Sequence, residues 1–351
     1  MFKNILNFES FFALFILTIL FGNVNAQEKK EYKLACIGFY NVENLFDTID
    51  SKDTHDEEFL PDGKKVWNSE KYYKKLDKLA EVISQIGDEY IKGGPHILGL
   101  SEIENRLVME DLIKTNKLKD SDYGIVHYQS PDERGVDVGL IYRKAFFEVI
   151  SSSAHELHFD FDTADQTRSQ LLVTGLLKGE KIHIIVNHWP SRGGGELTSR
   201  PKRKAAGDLS RKLVDSLLNI DENAKIIVMG DLNDNPDDES VKDNLYSGRN
   251  PDKLKKGQLY NPYYNVYKKG VGSNAYRDAW SLFDQLIFSQ ALLSDDRSSY
   301  VYWKSNICRK KFMISTEGRY EGYPKRTFSF DLFQNGYSDH FPVYMFLIKE
   351  K

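Results

Sequence analysis

Short apolar runs alternate with amphipathic stretches along most of the chain, a pattern typical of strands mixed with helices. Apolar runs bounded by polar residues predict buried strands. These runs lie at 34–40, 97–100, 138–142, 171–177, 182–186, 226–229, 282–288 and 343–348. Gly179-Glu180 separates two of them and predicts a hairpin there.

Apolar side chains recur at helical spacing in three further stretches. They cover 69–86, which Gly87 closes, then 107–118, and a segment running from Ala205 to Leu217. The stretch 231–278 is rich in Asn, Asp, Pro, Gly and Tyr and predicts long loops. Strands mixed with helices, a central hairpin and a terminal strand favour an α/β sandwich over a doubly wound parallel sheet. No linker-like change of composition interrupts the chain, so we expect a single domain over 27–351.

The first 26 residues differ from the rest of the chain. Lys3 precedes an unbroken apolar run at 11–21, and small or polar residues follow as far as Ala26. This arrangement predicts a secretory signal cut after Ala26. A retained anchor is the weaker interpretation, because the run is about half the roughly 20 residues that a bilayer span needs. We therefore expect a periplasmic or extracellular protein without integral membrane association after cleavage.

Composition and charge narrow the class of protein. Of 351 residues, 40% are hydrophobic, enough to bury a sizeable core without staples. The two cysteines, Cys36 and Cys308, exclude a disulfide scaffold and a four-cysteine zinc module. They could pair in an oxidising compartment, or Cys36 could simply be buried in its strand. A formal net charge of -4 argues against binding nucleic acid by bulk charge.

Polar residues cluster at the point where apolar runs end. Converging strand ends are where an α/β protein usually keeps its ligand site. Five such clusters occur, at 39–44, 100–105, 186–192, 229–234 and 337–342. Their Asn, Glu and Asp oxygens, without thiolates, suit a hard cation such as Mg²⁺, and their isolated histidines suit proton transfer. This inventory predicts hydrolysis of a phosphate ester.

The five ordered clusters resemble the endonuclease/exonuclease/phosphatase superfamily over roughly residues 33–348. That superfamily includes pancreatic-type deoxyribonucleases, abasic-site endonucleases, neutral sphingomyelinases and inositol-polyphosphate phosphatases. The resemblance implies a four-layer sandwich, in which helices flank two packed and mostly antiparallel β-sheets. It also implies a Mg²⁺-dependent reaction, with Mn²⁺ or Ca²⁺ as alternatives.

The resemblance further implies the residues that bind the metal. Asn41 matches the family's first-strand Asn, which helps to hold the phosphate or the metal, and Glu102 matches its metal-binding Glu. Glu43 stands where some members place a second metal-binding acid. Asp339 matches the acid of the terminal pair, which lies near the metal.

Five residues match the catalytic positions of the family. His188 matches the histidine near the leaving group. Asp231 and Asn233 match the pair that orients the nucleophilic water and the scissile phosphate. Asp284 matches the acid that supports a catalytic histidine, and His340 matches the histidine on the phosphate.

Each residue alone also has a structural interpretation. Asn41, Asp231 and Asn233 are common turn formers, and a histidine such as His188 can satisfy a local network. Asp284 is harder to explain in this way, because an acid inside an apolar run needs a partner.

Several features bear on the substrate. Arg134 and Arg192, the latter beside three glycines, suit phosphate binding. The basic run 200–204, placed at a predicted helix start, is interpreted either as a contact to nucleic acid or as a solvated face. The Tyr-rich loop 260–267, with Tyr276 and Trp280 beyond it, could stack on bases or pack on itself.

The sequence thus favours a secreted Mg²⁺-dependent phosphodiesterase, a nuclease in the first place, with nucleic acid or another phosphodiester as its partner. The alternative is an enzyme acting on a phospholipid head group, or on a phosphorylated sugar or inositol. A lipid-directed enzyme should expose an apolar hairpin, and no long one is evident. The third interpretation is a binding protein that keeps the fold without catalysis. A monomer is favoured, although the sequence leaves the oligomeric state open.

Overall fold

The computed structural model describes residues 31–351, and residues 32–351 form one compact unit. The predicted signal segment, residues 1–26, lies outside the described residues. Among residues 31–351 there is no helix whose length and apolar character would let it cross a membrane.

The described residues contain seventeen strands and four α-helices, besides short 3-10 and π-helical turns. The strands are β1 (Tyr32–Leu45), β2 (Ile97–Ile103), β3 (Tyr123–His127), β4 (Asp137–Arg143), β5 (Phe147–His155), β6 (Gln170–Leu177), β7 (Glu180–His188), β8 (Ile226–Asp231), β9 (Ser247–Gly248), β10 (Leu259–Tyr260), β11 (Asn274–Tyr276), β12 (Ala279–Ser281), β13 (Asp284–Phe288), β14 (Val301–Ile307), β15 (Phe328–Ser329), β16 (Leu332–Phe333) and β17 (Val343–Glu350). The helices are α1 (Ser69–Ile83), α2 (Arg106–Lys114), α3 (Glu196–Ile220) and α4 (Tyr264–Tyr267).

The strands form two large sheets. The first has the order β14-β17-β1-β2-β4-β3, and the second has the order β5-β6-β7-β8-β13-β10-β9. Most neighbours are antiparallel, but three pairs are parallel, namely β1 with β2, β7 with β8 and the short β9 with β10. Two small hairpins, β11–β12 and β15–β16, stand outside the large sheets.

Alternation of side chains along the strands sets the layers. Ala35, Ile37 and Phe39 of β1 belong to the core between the sheets, which also holds Ile227 and Met229 of β8. The intervening side chains of β1 join the buried stripes of α1 and α2 on the outer face of the first sheet. The outer face of the second sheet packs against α3. The predicted four-layer sandwich of two mostly antiparallel sheets is therefore confirmed.

Asparagine side chains fix the start of two helices. The Asn68 side chain accepts a hydrogen bond from the Lys71 amide at 3.1 Å and begins α1. Asn105 does the same for the Val108 amide, also at 3.1 Å, and begins α2. Asn105 belongs to the second polar cluster, so part of that cluster serves the helix rather than the site.

The differences from the predicted elements have local causes. Strands β3, β5 and β14 were not predicted, because each is short or carries polar residues on an exposed face, as edge strands do. Helix α3 begins at Glu196, nine residues before Ala205, and Pro201 lies inside it. Its first turns show no apolar stripe and are held by polar contacts, including one from Arg203 to the Ser199 hydroxyl at 2.8 Å.

Candidate active site

Two of the parallel strand pairs, β1 with β2 and β7 with β8, bring the polar clusters to one edge of the sandwich. Asn41 and Ser101 are register partners on β1 and β2, and His188 and Asp231 are partners on β7 and β8. Antiparallel β13 begins at this same edge, so that Asp284 is the register partner of Asp231. The segment leading into β17 supplies His340. Strand direction alone therefore places residues distant in sequence around one point.

Asp231 is held at the centre of the site by two amide donors. The Asn41 side-chain Nδ2 donates to one carboxylate oxygen, Oδ2, at 3.0 Å. The backbone N–H of Asn233 donates to the other oxygen at 3.0 Å. Burial raises the pKa of Asp231 to about 6, against the lowering effect of the nearby His340 charge. The carboxylate is thus fixed in orientation and ionises close to neutral pH.

His340 is paired with Asp284. Its Nδ1 lies 2.7 Å from Asp284 Oδ2, and its Nε2 lies 3.8 Å from Asp231 Oδ2. Burial of the ring lowers the pKa of His340, but the carboxylates of Asp284 and Asp231 outweigh it and leave the pKa raised well above its usual value. The predicted buried acid therefore has its partner, and the histidine is held as a cation.

His188 lies on the other side of Asp231 in the opposite charge state. Its Nε2 is 3.7 Å from Glu102 Oε1 and 3.8 Å from Asp231 Oδ2. Burial lowers the pKa of His188 well below its usual value, and the positive charge of Arg168 adds to the effect. The site thus holds one neutral and one protonated imidazole around a single carboxylate.

Arg168, which sequence reasoning missed, supports His188 from behind. The buried guanidinium donates to the His188 carbonyl at 3.2 Å and to the Trp189 carbonyl at 2.6 Å. It also pairs with buried Asp132, at 3.0 Å. A single arginine ahead of a strand gives no motif, so only the fold reveals this role. Asn233 has a similar supporting contact, since its Nδ2 donates to the Trp189 carbonyl at 2.9 Å.

Glu102 lies next to His188, and Asn41 adds a second oxygen, Oδ1, which accepts a hydrogen bond from the Glu43 amide at 3.0 Å. The Asn44 amide holds one Glu102 oxygen at 2.9 Å, and the other faces His188 Nε2 without a hydrogen bond. Glu43, Asn44, Glu102 and Asn233 all have φ between 49° and 60°. Left-handed backbone at non-glycine residues is costly and concentrates at functional sites. An all-oxygen set with one free carboxylate arm fits a hard divalent cation.

The other two predicted metal acids have cationic neighbours. Glu43 is buried, accepts a hydrogen bond from the Thr327 amide at 2.6 Å and lies 3.5 Å from Arg326 Nε. The Arg326 guanidinium also donates to Asp339 at 2.8 Å. Burial and the Asp339 charge raise the pKa of Glu43 to about 7, while Lys75 and Arg326 lower it. Both acids therefore take part in a charge cluster that their neighbours in sequence did not suggest.

Ligand atoms of Asp231, Asp284 and His340 all lie within 4.8 Å of one another, a spacing that could also hold a cation. The short Nδ1 contact to Asp284 and the positive charge of His340 argue against this use. A protonated imidazole donates hydrogen bonds and ligates no metal. We therefore interpret the three residues as a proton-handling group.

The two arginines predicted to bind phosphate differ in their contacts. Arg192 donates to the Asn233 carbonyl at 2.9 Å and pairs with Asp234 and Asp238 at 2.8 and 2.7 Å. Its guanidinium is thus engaged by the 233–238 loop, which argues for a positioning role rather than a substrate contact. The Arg134 side chain is half exposed, and its charge helps to lower the pKa of His188.

The cations of the basic run and part of the Tyr-rich loop have their interaction partners within the protein. The run lies inside α3 rather than at its start, and each of its four cations has an acidic partner, at Glu196, Asp162, Asp165, Asp234 and Glu239. These contacts fit the interpretation of a paired face for the partly exposed Arg200, Lys202 and Lys204, whereas Arg203 is fully buried. In the loop, Tyr263 is buried and donates to the Tyr344 carbonyl at 3.1 Å, so that part of the loop packs on the core.

Comparison with known proteins agrees with the architecture. A family model described as the endonuclease/exonuclease/phosphatase family matches residues 36–349. The chain therefore belongs to this family, whose enzymes are metal-dependent hydrolases of phosphate esters. A search of curated proteins gives no match.

Solved structures with the same fold share little sequence with this chain. A family member from Bacteroides thetaiotaomicron is 15% identical, with a TM-score of 0.55, and the match covers 91% of this chain and 99% of that one. D. rerio TDP2 complexed with a single-strand DNA product is 14% identical, with a TM-score of 0.53 and coverage of 90% and 99%. A mannosyl-6-phosphatase from Bacteroides thetaiotaomicron is 16% identical, with a TM-score of 0.53 and coverage of 89% and 99%. At these identities the similarity shows the fold alone.

Proposed function

We propose that the protein is a secreted, Mg²⁺-dependent phosphodiesterase and that nucleic acid is its substrate class. The observation that carries the reaction type is the position of Asp231 between two imidazoles of opposite charge state, each 3.8 Å from the same carboxylate oxygen. Phosphate hydrolysis needs a base for water and positive charge for the phosphoryl oxygens. The site offers both around one carboxylate oxygen.

Asp231 is the proposed base. In the reaction, a water oxygen bonds to phosphorus, the bond to the leaving oxygen breaks, and the proton of the water passes to Asp231. Asn41 and the Asn233 amide keep the carboxylate oriented for this transfer. With a pKa of about 6, the carboxylate is ionised at neutral pH and remains basic enough to accept the proton.

The histidines stabilise the charges that develop. His340, kept protonated by Asp284, donates a hydrogen bond from Nε2 to a phosphoryl oxygen. His188 stays neutral and directs its Nε2 into the same space. It is placed to donate to the leaving oxygen, which then takes its proton from solvent or from the site.

Glu102 and Asn41 are the residues that would hold the divalent metal. Their fit rests on the free carboxylate arm of Glu102 and on the oxygen-only donor set at this side of the site. A Mg²⁺ ion bound there supplies positive charge to the phosphoryl oxygen. Mn²⁺ and Ca²⁺ are the alternative ions.

The structural neighbours and the net charge bear on the substrate class. The D. rerio TDP2 structure contains a DNA product, whereas the mannosyl-6-phosphatase is described as acting on a sugar phosphate. The net charge of -4 argues against tight non-specific binding to nucleic acid. A local, cationic and aromatic site beside the reacting phosphate would favour a nucleotide chain.

Location and assembly are further parts of the proposal. We expect the mature protein to begin at Gln27, as one catalytic domain over 27–351 that acts as a monomer outside the cytoplasm. N-terminal sequencing of the exported protein tests the cleavage position, and light scattering of the purified protein tests the assembly. A start at Met1 or a stable dimer would contradict these points.

A substrate panel tests the proposed activity. Plasmid DNA, single-stranded DNA, RNA, bis(p-nitrophenyl) phosphate, mannose 6-phosphate and phosphatidylinositol vesicles are incubated with the mature protein, with Mg²⁺ and with chelator. Hydrolysis of the diesters in Mg²⁺ alone supports the proposal. Preferential release of phosphate from mannose 6-phosphate would favour the phosphatase alternative, and absence of metal-dependent hydrolysis on every substrate would leave a binding protein.

A further inference from the structure

A cavity of about 580 Å³ opens beside the site. One wall is the β11–β12 hairpin, and the other is the segment 315–334, which includes the β15–β16 hairpin. These segments lie outside the two large sheets. Neither contributes a residue to the predicted catalytic set.

The cavity begins at the reacting groups. Asn274, at its inner end, places Nδ2 3.5 Å from His340 Nε2. Asp339, the neighbour of His340, also lines the cavity and is held by Arg326 at 2.8 Å. A phosphate bound at His340 would therefore have its next substituent at the mouth of this cavity.

Aromatic rings line the cavity and face solvent. Phe330 is 87% exposed, and Tyr276 is 70% exposed. Tyr320 and Tyr323 stand next to each other, with ring centroids 5.9 Å apart. Phe330 also has a φ of 54° at the tip of the β15–β16 hairpin. An exposed phenylalanine held in left-handed backbone gains nothing for stability, which points to a binding role.

Two of the cations beside these rings have no acidic partner among residues 31–351, whereas a third, Arg326, is paired with Asp339 and Glu43. Arg277 and Arg319 line the cavity, and neither forms an ion pair with any residue of 31–351. This contrasts with the basic run of α3, where every cation is paired. Arg277 and Asp278 both have positive φ, of 49° and 63°, at the tip of the β11–β12 hairpin.

Tyr323 ties the two walls together at this hairpin tip. Its hydroxyl donates to an Asp278 carboxylate oxygen at 2.7 Å and accepts from the Asp278 amide at 2.7 Å. These two hydrogen bonds fix the Asp278 carboxylate and the strained turn in position. The guanidinium is presented next to the aromatic rings.

We propose that this cavity binds the nucleoside next to the scissile phosphate of a single-stranded nucleic acid. The base stacks on Phe330 or Tyr320, and Arg277 and Arg319 contact the following phosphate. This proposal rests on the proposed function, and it identifies the part of the site that would select the substrate. Two apolar residues at the hairpin tip, Phe330 and Leu332, are fewer than a lipid surface needs, and the cations favour a polyanion.

Binding of a fluorescein-labelled eight-nucleotide DNA single strand, measured by anisotropy in chelator, tests the cavity without catalysis. The variants are Phe330→Ala and Arg277→Ala, at exposed side chains whose loss should leave the fold intact. Phe161→Ala and Arg106→Ala are matched controls, because both residues are exposed and lie outside the cavity. The same proteins are assayed for Mg²⁺-dependent hydrolysis of bis(p-nitrophenyl) phosphate.

Phe330→Ala should weaken binding by about 5- to 100-fold, the loss expected for one stacked base, without changing the salt dependence. Arg277→Ala should reduce the slope of log K against log salt by about 0.7, the value for one phosphate contact on a single strand. The controls should bind like the parent, and hydrolysis of the small diester should stay within about 2-fold. Unchanged oligonucleotide binding in both variants would overturn the proposal.

A loss of lipid binding in place of oligonucleotide binding would also overturn the proposal. If the variants keep oligonucleotide binding and lose sedimentation with anionic phosphatidylglycerol vesicles, the hairpin tip serves a lipid surface. Failure of the proposed function is separate, since it would appear as an absence of Mg²⁺-dependent hydrolysis in the unsubstituted protein.

Discussion

Asp284 Oδ2 lies 2.7 Å from His340 Nδ1, and both side chains are buried. The other oxygen of Asp284 has no hydrogen-bond partner among residues 31–351. A buried carboxylate is costly without compensation, so this acid depends on the charge of the histidine. The pair keeps His340 protonated and fixes the direction of its Nε2 toward Asp231.

Asp284→Asn removes this charge and preserves the shape of the side chain. We expect kcat for bis(p-nitrophenyl) phosphate to fall by about 10²- to 10⁴-fold, because His340 loses its proton and its fixed orientation. The alkaline limb of the pH–rate profile should move to lower pH. Asp137→Asn is the matched control, since Asp137 forms a similar buried pair with His127 at 2.8 Å. If both variants lose activity equally, the effect is one of stability alone.

Arg168 and Asp132 form a buried ion pair behind His188. Arg168→Met should lower the free energy of unfolding by about 3–5 kcal/mol, because Asp132 is left as an uncompensated buried charge. Adding Asp132→Asn should recover part of this loss in a double-mutant cycle measured by urea denaturation. Arg106→Met, at an exposed pair, should change stability by less than about 1 kcal/mol. Additive effects of the two buried substitutions would show that the pair is not coupled.

His96 predicts a pH dependence of stability away from the site. Its Nδ1 accepts a hydrogen bond from the Cys36 amide at 2.9 Å. Burial lowers the pKa of His96 from 6.5 to about 3, and the charges of Arg143 and Lys178 act in the same direction. Since the folded-state pKa lies below the unfolded-state value, the stabilisation is complete above pH 6.5 and is lost as the pH falls.

The free energy of unfolding should fall by about 1.4 kcal/mol per pH unit below pH 6.5 because of His96. This fall adds to the pH dependence that other groups contribute. His96→Asn keeps an acceptor for the Cys36 amide and should remove this slope in urea unfolding between pH 7 and about pH 5. His158→Asn, at an exposed histidine, should retain it. Equal slopes in all three proteins would mean that His96 is protonated in the folded state.

Cys36 and Cys308 are buried free thiols in the structure. Burial raises the pKa of both thiols, that of Cys308 to about 12, so neither forms the reactive thiolate at neutral pH. A thiol reagent such as Ellman's reagent should titrate almost nothing in the native protein and two thiols after denaturation. No free thiol after denaturation would indicate that the two cysteines pair in the exported protein.

Six of the site residues could be placed from the sequence because a local pattern marks them. Each lies where an apolar run ends or begins, and the direction of the strands brings these residues together at one edge of the sandwich. Asp284 was marked differently, because an acid inside an apolar run needs a partner when it is buried, and the fold supplies His340. The pattern of runs predicted an α/β sandwich, whereas its four layers were implied by the family resemblance.

The supporting residues could not be predicted, because their partners are distant in sequence. Lys75 on α1 reaches the Tyr337 carbonyl at 2.8 Å, 262 positions away, and Arg168 meets Asp132. The contacts of Arg192 to the 233–238 loop were likewise not evident from the glycine-rich neighbourhood that suggested phosphate binding, and its role toward phosphate stays a prediction. Local sequence shows which residues stand at strand ends, whereas charge pairing is decided by the completed fold.

The residues predicted to bind the metal also have neighbours that the sequence did not reveal. Glu102 offers a free carboxylate oxygen, as its position at a strand end suggested. Glu43 and Asp339, also predicted as metal ligands, lie beside Arg326 and Lys75. The role of Glu43 and Asp339 toward a metal stays a prediction. Comparing the metal affinity of the Glu102→Gln and Glu43→Gln variants would show whether Glu43 is a ligand as Glu102 is proposed to be.

The central claim is that the group around Asp231 hydrolyses a phosphate diester with a divalent metal. The most direct measurement is the rate of bis(p-nitrophenyl) phosphate hydrolysis by the mature protein and by His340→Ala, each with saturating Mg²⁺ and with chelator, after circular dichroism has shown both to be folded. The account predicts hydrolysis that requires Mg²⁺ and falls by about 10²- to 10⁴-fold in the variant. Equal rates for the two folded proteins, or no Mg²⁺-dependent hydrolysis by the unsubstituted protein, would contradict it.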